Sequence, residues 1–177
     1  MDRKGEVMKF VFVNRENPIQ IKKVEELAGR IWREHYSTIL ESRQIEYMLQ
    51  HFQSFDAIQE QIACKNYQYY LLNQDNTDIG FAGIIEEPDK KSLFLSKIYI
   101  DADYRGRGYA SETFAFLEEI CRNKNYHKIW LTVNRYNESS IRAYEKKGFR
   151  KVRTQVTDIG EGYVMDDYVM EKEILLT

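Results

Sequence analysis

DADYRGRGYASE, Asp101–Glu112, lies between an apolar, strand-like run, SLFLSKIYI (Ser92–Ile100), and an apolar, helix-like one, TFAFLEEIC (Thr113–Cys121). Two arginines and two glycines fill Arg105–Gly108, where the strand turns into the helix. Such a turn leaves backbone N–H groups unpaired at the positive end of the helix dipole, and glycine lets an anion approach them closely. The stretch therefore reads as an anion-binding loop, against the plainer reading of an exposed turn with two solvated arginines. Which anion it holds decides both fold and function.

Two familiar phosphate motifs fail here. A P-loop needs a lysine directly after its second conserved glycine, and Tyr109 follows Gly108 instead, so nothing reaches a terminal phosphate as in nucleotide hydrolysis. A dinucleotide fingerprint needs a third glycine and an acid closing the next strand. Ser111 and Asn134 occupy those places.

Upstream of the loop, MKFVFV reads as a first strand and Pro18 stands near the first position of a helix, where a missing N–H costs least. Val24, Leu27, Ala28, Ile31, Trp32 and His35 repeat at helical spacing and form one apolar stripe. A second helical stretch starts near Ser42, with Ile45, Met48, Leu49 and Phe52 inward, and FDAIQEQIAC continues it. YQYYLLN and DIGFAGIIEE are strand-like runs joined by a turn at QDNTD. Downstream, a helix runs from about Gly108 to Arg122, a strand follows at KIWLTVN, and ESSIRAYEKK is a last helix ended by Gly148 as a left-handed cap. Two more strands flank GEG in the tail. The expected order is strand, two helices, three strands, helix, strand, helix, two strands.

With 177 residues, 43% of them hydrophobic and 31% charged, the chain suits one domain with a sizeable core. A formal net charge of -2 supplies no global attraction to nucleic acid or to an anionic membrane. Cys64 and Cys121 stand apart, as do His35, His51 and His127, so no metal-ligand spacing occurs. Two free thiols suit a reducing compartment, and the N-terminal apolar run is too short for a signal or a membrane span. The expected location is cytoplasmic.

Arg105-Gly106-Arg107-Gly108-Tyr109-Ala110 resembles the (Gln/Arg)-x-x-Gly-x-(Gly/Ala) signature of the GNAT superfamily of N-acetyltransferases. Further on, Asn137, Ser140, Ile141, Tyr144, Gly148 and Phe149 fill the pattern Asn-x-x-(Ala/Ser)-Ile-x-x-Tyr-x-x-x-Gly-Phe of the same family. The resemblance covers about Leu93 to Val152. More loosely, IWREHYSTILESRQIEYML and DIGEGYVMDDYVMEK look like a bacterial subgroup of mostly unassigned substrate, with polyamine acetyltransferases as distant relatives.

The resemblance implies a single domain over residues 1–177, of α/β (α+β) class, with a mixed, mostly antiparallel sheet of about seven strands flanked by helices. It implies acetyl-CoA as cosubstrate, its pyrophosphate on Arg105, Gly106, Arg107, Gly108, Tyr109, Ala110 and Ser111. Main-chain groups of Ile98, Tyr99 and Ile100 would pair with the pantetheine arm, and a backbone N–H near Ile98 or Tyr99 would stabilise the oxyanion. Asn137 and Tyr144 belong to the cofactor-binding set. Tyr144 would face the thiolate as its proton donor, although Ile141, Tyr144 and Phe149 also make a plausible apolar face.

Many relatives carry a glutamate on the strand before the loop, and here Phe94, Ser96 and Lys97 stand there. Glu34, Glu86, Glu87, Asp166 and Asp167 are substitutes, each of which also reads as a solvated acid, and no base is needed if water suffices. Trp32, Tyr36, Tyr47, Tyr163 and Tyr168 fall in the implied substrate segments. Glu34, Tyr36, Asp166 and Asp167 are the candidate acceptor-binding residues, suited to a primary amine of a small molecule or polyamine ahead of a protein amine. A monomer or homodimer without nucleic-acid, membrane or metal partners is expected. A non-catalytic acyl-CoA sensor or interaction module is the alternative.

Overall fold

The first strand, β1 (Lys9–Phe12), leads through a cap into α1 (Pro18–His35) in a computed structural model that describes residues 7–176. Asn17 accepts a hydrogen bond from the Gln20 N–H, satisfying one orphan donor, and Pro18 occupies the first turn. The stripe is buried as its spacing demands, from Ile21 and Val24 to Ile31 and Trp32, while His35 is only half-buried.

The stretch after Ser42 differs from expectation. It breaks into α2 (Ser42–Phe52) and α3 (Phe55–Cys64), so three helices follow β1 instead of two. The break has a local cause. Ser54 caps α3 by accepting from the Ala57 N–H, and the Gln53 side chain, 1% exposed, is tied to the Phe52 carbonyl and the Tyr69 hydroxyl.

β2 (Tyr67–Gln74) and β3 (Thr77–Glu87) are joined at Asp75 and Asn76, both with positive φ, the conformation that a two-residue hairpin turn requires. β4 (Ser92–Ile100), α4 (Tyr109–Lys124), β5 (Lys128–Asn134), α5 (Glu138–Lys146), β6 (Arg150–Gly160) and β7 (Tyr163–Glu173) follow in the expected order. Gly148 closes α5 at φ 93°. The strands make one seven-stranded sheet, β1-β2-β3-β4-β5-β7-β6. Pairing is antiparallel for β1 with β2, β5 with β7 and β6 with β7, and parallel for β4 with β5, which bears out the mixed α/β reading. The parallel ladder joins Ser92–Phe94 to Lys128–Trp130, at the start of both strands.

The chain groups into two compact units. The first holds the chain through Ile84 together with Lys97–Glu112, and the second holds Ile85–Ser96 and the chain from Thr113 onward. In the first unit, Gly80 sits where a Cβ would lie 2.3 Å from the Tyr99 carbonyl oxygen. Only glycine permits that approach, and the adjacent Ile79 carbonyl accepts from the Asp101 N–H at 2.8 Å. β3 thereby holds the end of β4 and the start of the loop in place. Among the described residues no helix is long and apolar enough to cross a membrane, and no cluster of side chains could hold a metal.

Candidate functional site

In the first unit, β4 delivers the chain into the glycine loop through a 3-10 turn at Ala102–Tyr104, capped by Asp101 accepting from the Asp103 N–H. Gly106 and Gly108 adopt φ of 74° and 89°, and a Cβ on either would meet nothing within 4 Å. The loop is thus bent in a way that disfavours side chains while the space beside it stays open. α4 begins directly behind it at Tyr109, and the Gly108 carbonyl accepts from the Glu112 N–H at 3.0 Å. Exposed glycines, a helix start and open space fit a phosphate-bearing ligand. Tyr109 and Ile100 are partly buried against Met8, Leu72 and Ile79, so their side chains anchor the loop. Ala110 is half-buried and Ser111 exposed.

The two loop arginines differ. Arg105 is engaged by both carboxylate oxygens of Glu34, at 3.1 and 2.8 Å, and donates from Nε to the Ile100 carbonyl at 3.0 Å. Arg107 lies over the Tyr104 ring at 5.5 Å. Glu34, an acceptor-binding candidate by sequence, is therefore a partner of the loop, and the hydrogen bond from Arg105 holds its carboxyl below the usual range.

Beside this loop in the same unit, the Tyr36 and Tyr99 hydroxyls share a hydrogen bond of 2.8 Å, and the Trp32 ring packs 5.4 Å from that of Tyr99. His35 touches the Tyr36 ring at 4.9 Å, and burial, with the Arg105 charge, pushes its pKa down. Ile98 and Tyr99 are half-buried. Lys97, one of the three residues read on β4 in the absence of a carboxylate, is 8% exposed, with Nζ 4.5 Å from the Tyr67 ring centre. Burial, reinforced by Lys65, lowers its pKa to about 7. The sequence offers no warning of this, because a lysine on a strand normally reaches water.

In the second unit, Asn137 caps α5 by accepting from the Ser140 N–H, and Tyr144 packs its ring against Phe114 and Phe149 at 6.1 and 5.9 Å. The aromatic packing of the plainer reading of Tyr144 is thus present, and the cap gives Asn137 a structural role of its own. The candidate acids also separate. Glu86 accepts from Lys124 and from the Tyr126 hydroxyl, and Glu87 accepts from Trp130, Ser92 and Lys90. Burial alone would raise the Glu87 pKa, but those donors outweigh it and hold it low. Asp166 lies 2.8 Å from Arg135 Nε, out of line for a hydrogen bond, so the contact is one of charge.

Asp167 is the exception. It is 5% exposed, its Oδ1 is buried without a hydrogen-bond partner among the described residues, and burial plus the charge of Asp166 raise its pKa to about 6. It faces Asn134 on β5 and Gln155 on β6 across the sheet. Tyr168 carries Arg135 and Lys151 over its ring, and Tyr47 stacks on His51.

Residues 24–149 match the acetyltransferase (GNAT) family. An uncharacterized N-acetyltransferase of Mycobacterium tuberculosis is 30% identical over 101 residues, 57% of this chain and 64% of that relative. Among solved structures, the PaiA N-acetyltransferase of Thermoplasma acidophilum in complex with coenzyme A has a TM-score of 0.74 at 20% identity, over 94% of this chain and 99% of that one. The spermidine N-acetyltransferase of Vibrio cholerae in complex with CoA and spermine reaches 0.67 at 20% identity, over 94% and 95%. At such identities the structural likeness shows the fold.

Proposed function

The chain belongs to the GNAT acetyltransferase family, and from that premise we propose that it transfers the acetyl group of acetyl-CoA to a primary amine. The observation that carries this reading is the Arg105–Gly108 loop, with Gly106 and Gly108 at positive φ, open space beside both, and α4 starting behind it. Acetyl-CoA supplies the activated thioester. The loop amides and Arg107 would bind its pyrophosphate, and the main chain of Ile98, Tyr99 and Ile100 would hold the pantetheine arm by strand-like pairing. The short β4–β5 ladder, confined to the start of β4, is compatible with that role.

Attack on a thioester needs a neutral amine and a proton for the departing thiolate. Tyr144 is proposed as the donor because of its place in the second family motif. Asp167 is proposed as the acceptor of the amine's proton, since the other candidate acids are engaged by cations or donors while its Oδ1 has no hydrogen-bond partner among the described residues. A desolvated carboxylate with raised pKa is a stronger base than a solvated one.

A small amine or polyamine is the proposed acceptor class, ahead of a protein amine. The V. cholerae neighbour was crystallised with spermine. The proposed setting is one cytoplasmic domain, monomeric or homodimeric, that binds neither nucleic acid nor membrane. A screen of primary amines for acetyl-CoA-dependent thiol release, with calorimetry of CoA binding, tests the proposal. Turnover on an amine supports it, and absence of CoA binding overturns it. Tight CoA binding without turnover on any amine would favour the acyl-CoA sensor, a reading that the missing β4 carboxylate favours.

A further inference from the structure

α1 presents Arg30 and Glu34, one helical turn apart, to the segment between β4 and α4. Arg30 donates from Nε to Asp101 Oδ2 at 2.7 Å, and its Nη2 lies 2.5 Å from the same oxygen. Glu34 takes one N–H from each terminal nitrogen of Arg105, and the third nitrogen, Nε, donates to the Ile100 carbonyl. The two pairs run in opposite polarity, cation to acid and acid to cation, and they bracket the 3-10 turn at Ala102–Tyr104.

We infer that Arg30 and Glu34 are positioning residues that brace the cofactor loop, making Arg105 a strut of the loop while Arg107 and backbone N–H groups meet the anion. The inference rests on the loop's reading as the CoA pyrophosphate site. A guanidinium whose Nε and both Nη atoms have acceptors, two of them on one carboxylate, has its fork geometry already committed. Turning it to a phosphate would strand the Glu34 carboxylate and release the Ile100 carbonyl. The pairs are too exposed to matter much for global stability, with side-chain exposures of 38% and 51% for Arg105 and Glu34. Their effect is local, on a loop whose two glycines at positive φ leave it little stiffness of its own. Opposite pairs a turn apart also set the register of α1 against the loop, since sliding either way would bring like charges together.

The test is a double-mutant cycle read by calorimetry with CoA, using Glu34→Gln, Arg105→Gln, the double variant and Arg105→Lys, together with amide hydrogen exchange over residues 102–110. Each single change to Gln is expected to weaken CoA binding roughly tenfold, the size of one charge-assisted hydrogen bond. The double variant should be no weaker than the worse single, because one interaction is lost in all three. Arg105→Lys should fall with Arg105→Gln, since lysine keeps the charge and loses the fork. Loop amides should exchange faster in every variant while the melting temperature barely moves. If Arg105→Gln loses affinity while Glu34→Gln leaves it unchanged or improves it, Arg105 is a phosphate ligand and the brace is wrong; additive losses say the same. A wild type that binds no CoA overturns the cofactor reading alone. Loop exchange then decides the brace, which fails if Glu34→Gln leaves the rates unchanged.

Discussion

Lys97 shows how a single residue can carry a cost that its strand conceals. Its pKa is about 7 in the folded chain against an ordinary value of 10.5, lowered by burial and then by Lys65. Between those values the unfolded chain binds more protons than the folded one, so stability rises with pH across that window and the full cost of the buried charge is present below pH 7. Lys97→Met should therefore raise stability at pH 6, by at least on the order of 1 kcal/mol, and flatten the dependence between pH 7 and 10. Denaturant melts of both proteins at pH 6, 8 and 10 check this; parallel curves would mean that the ammonium is solvated. Tyr144 is tested by its hydroxyl alone. Tyr144→Phe keeps the ring contacts with Phe114 and Phe149 and removes the proposed donor. On an accepted amine, kcat should fall by on the order of a hundredfold with little change in CoA affinity. An unchanged kcat would leave Tyr144 as a packing residue. Asp167 adds a pH signature. With its pKa raised to about 6, kcat/KM should gain a rising limb near that pH, and Asp167→Asn should remove it.

At the scale of elements, the decisive contacts are those that aim β4 and open α4. Gly80 allows the Tyr99 carbonyl to sit within what would be side-chain space, and no shift of a flexible side chain relieves a 2.3 Å approach to backbone. Gly80→Ala should cost more than 2 kcal/mol, as overpacking commonly does, and should displace β4 at Tyr99 and Ile100. Chemical unfolding measures the first and CoA titration the second; a neutral substitution would show that β4 yields to a Cβ at this position. Gly108 is subtler. A side chain there meets nothing in the free protein, yet φ of 89° strains any residue that replaces glycine. Gly108→Val should therefore lose CoA binding and some stability together, whereas a merely obstructive side chain would cost affinity alone. Ser54 illustrates how a cap partitions elements, since its bond to the Ala57 N–H opens α3 directly after Gln53 has closed α2.

For the whole molecule, a net charge of -2 gives an anion no general attraction, so the loop amides and Arg107 would have to bind it locally. A ligand that binds only the native state stabilises it by mass action. CoA at about a hundred times its Kd should add about 2.7 kcal/mol and raise the melting temperature on the order of 5–10 °C in a chain of this size. NAD and ATP at equal concentration should do far less, and equal shifts would take the specificity away from the loop.

The sequence was enough for the element order from β2 onward, the sheet class and the place of the glycine loop between β4 and α4. Those features rest on local signals: apolar periodicity, glycine spacing and a strand running directly into a helix. It also marked Asn137, Tyr144 and Gly148 as a set, through a motif whose spacing survives on its own. What tertiary structure alone decided is the state of each charged side chain. Glu34, Glu86, Glu87, Asp166 and Asp167 look alike as letters. They differ because their partners, Arg105, Lys124, Trp130 and Arg135, come from other elements, while Asp167 is buried with an unmatched oxygen. Lys97 was illegible for the same reason, since the Tyr67 and Tyr69 rings that lie near its Nζ come from β2. Periodicity reports which face of an element is apolar; charge pairing and desolvation depend on distances between segments far apart in the chain, and those exist only once the chain has folded.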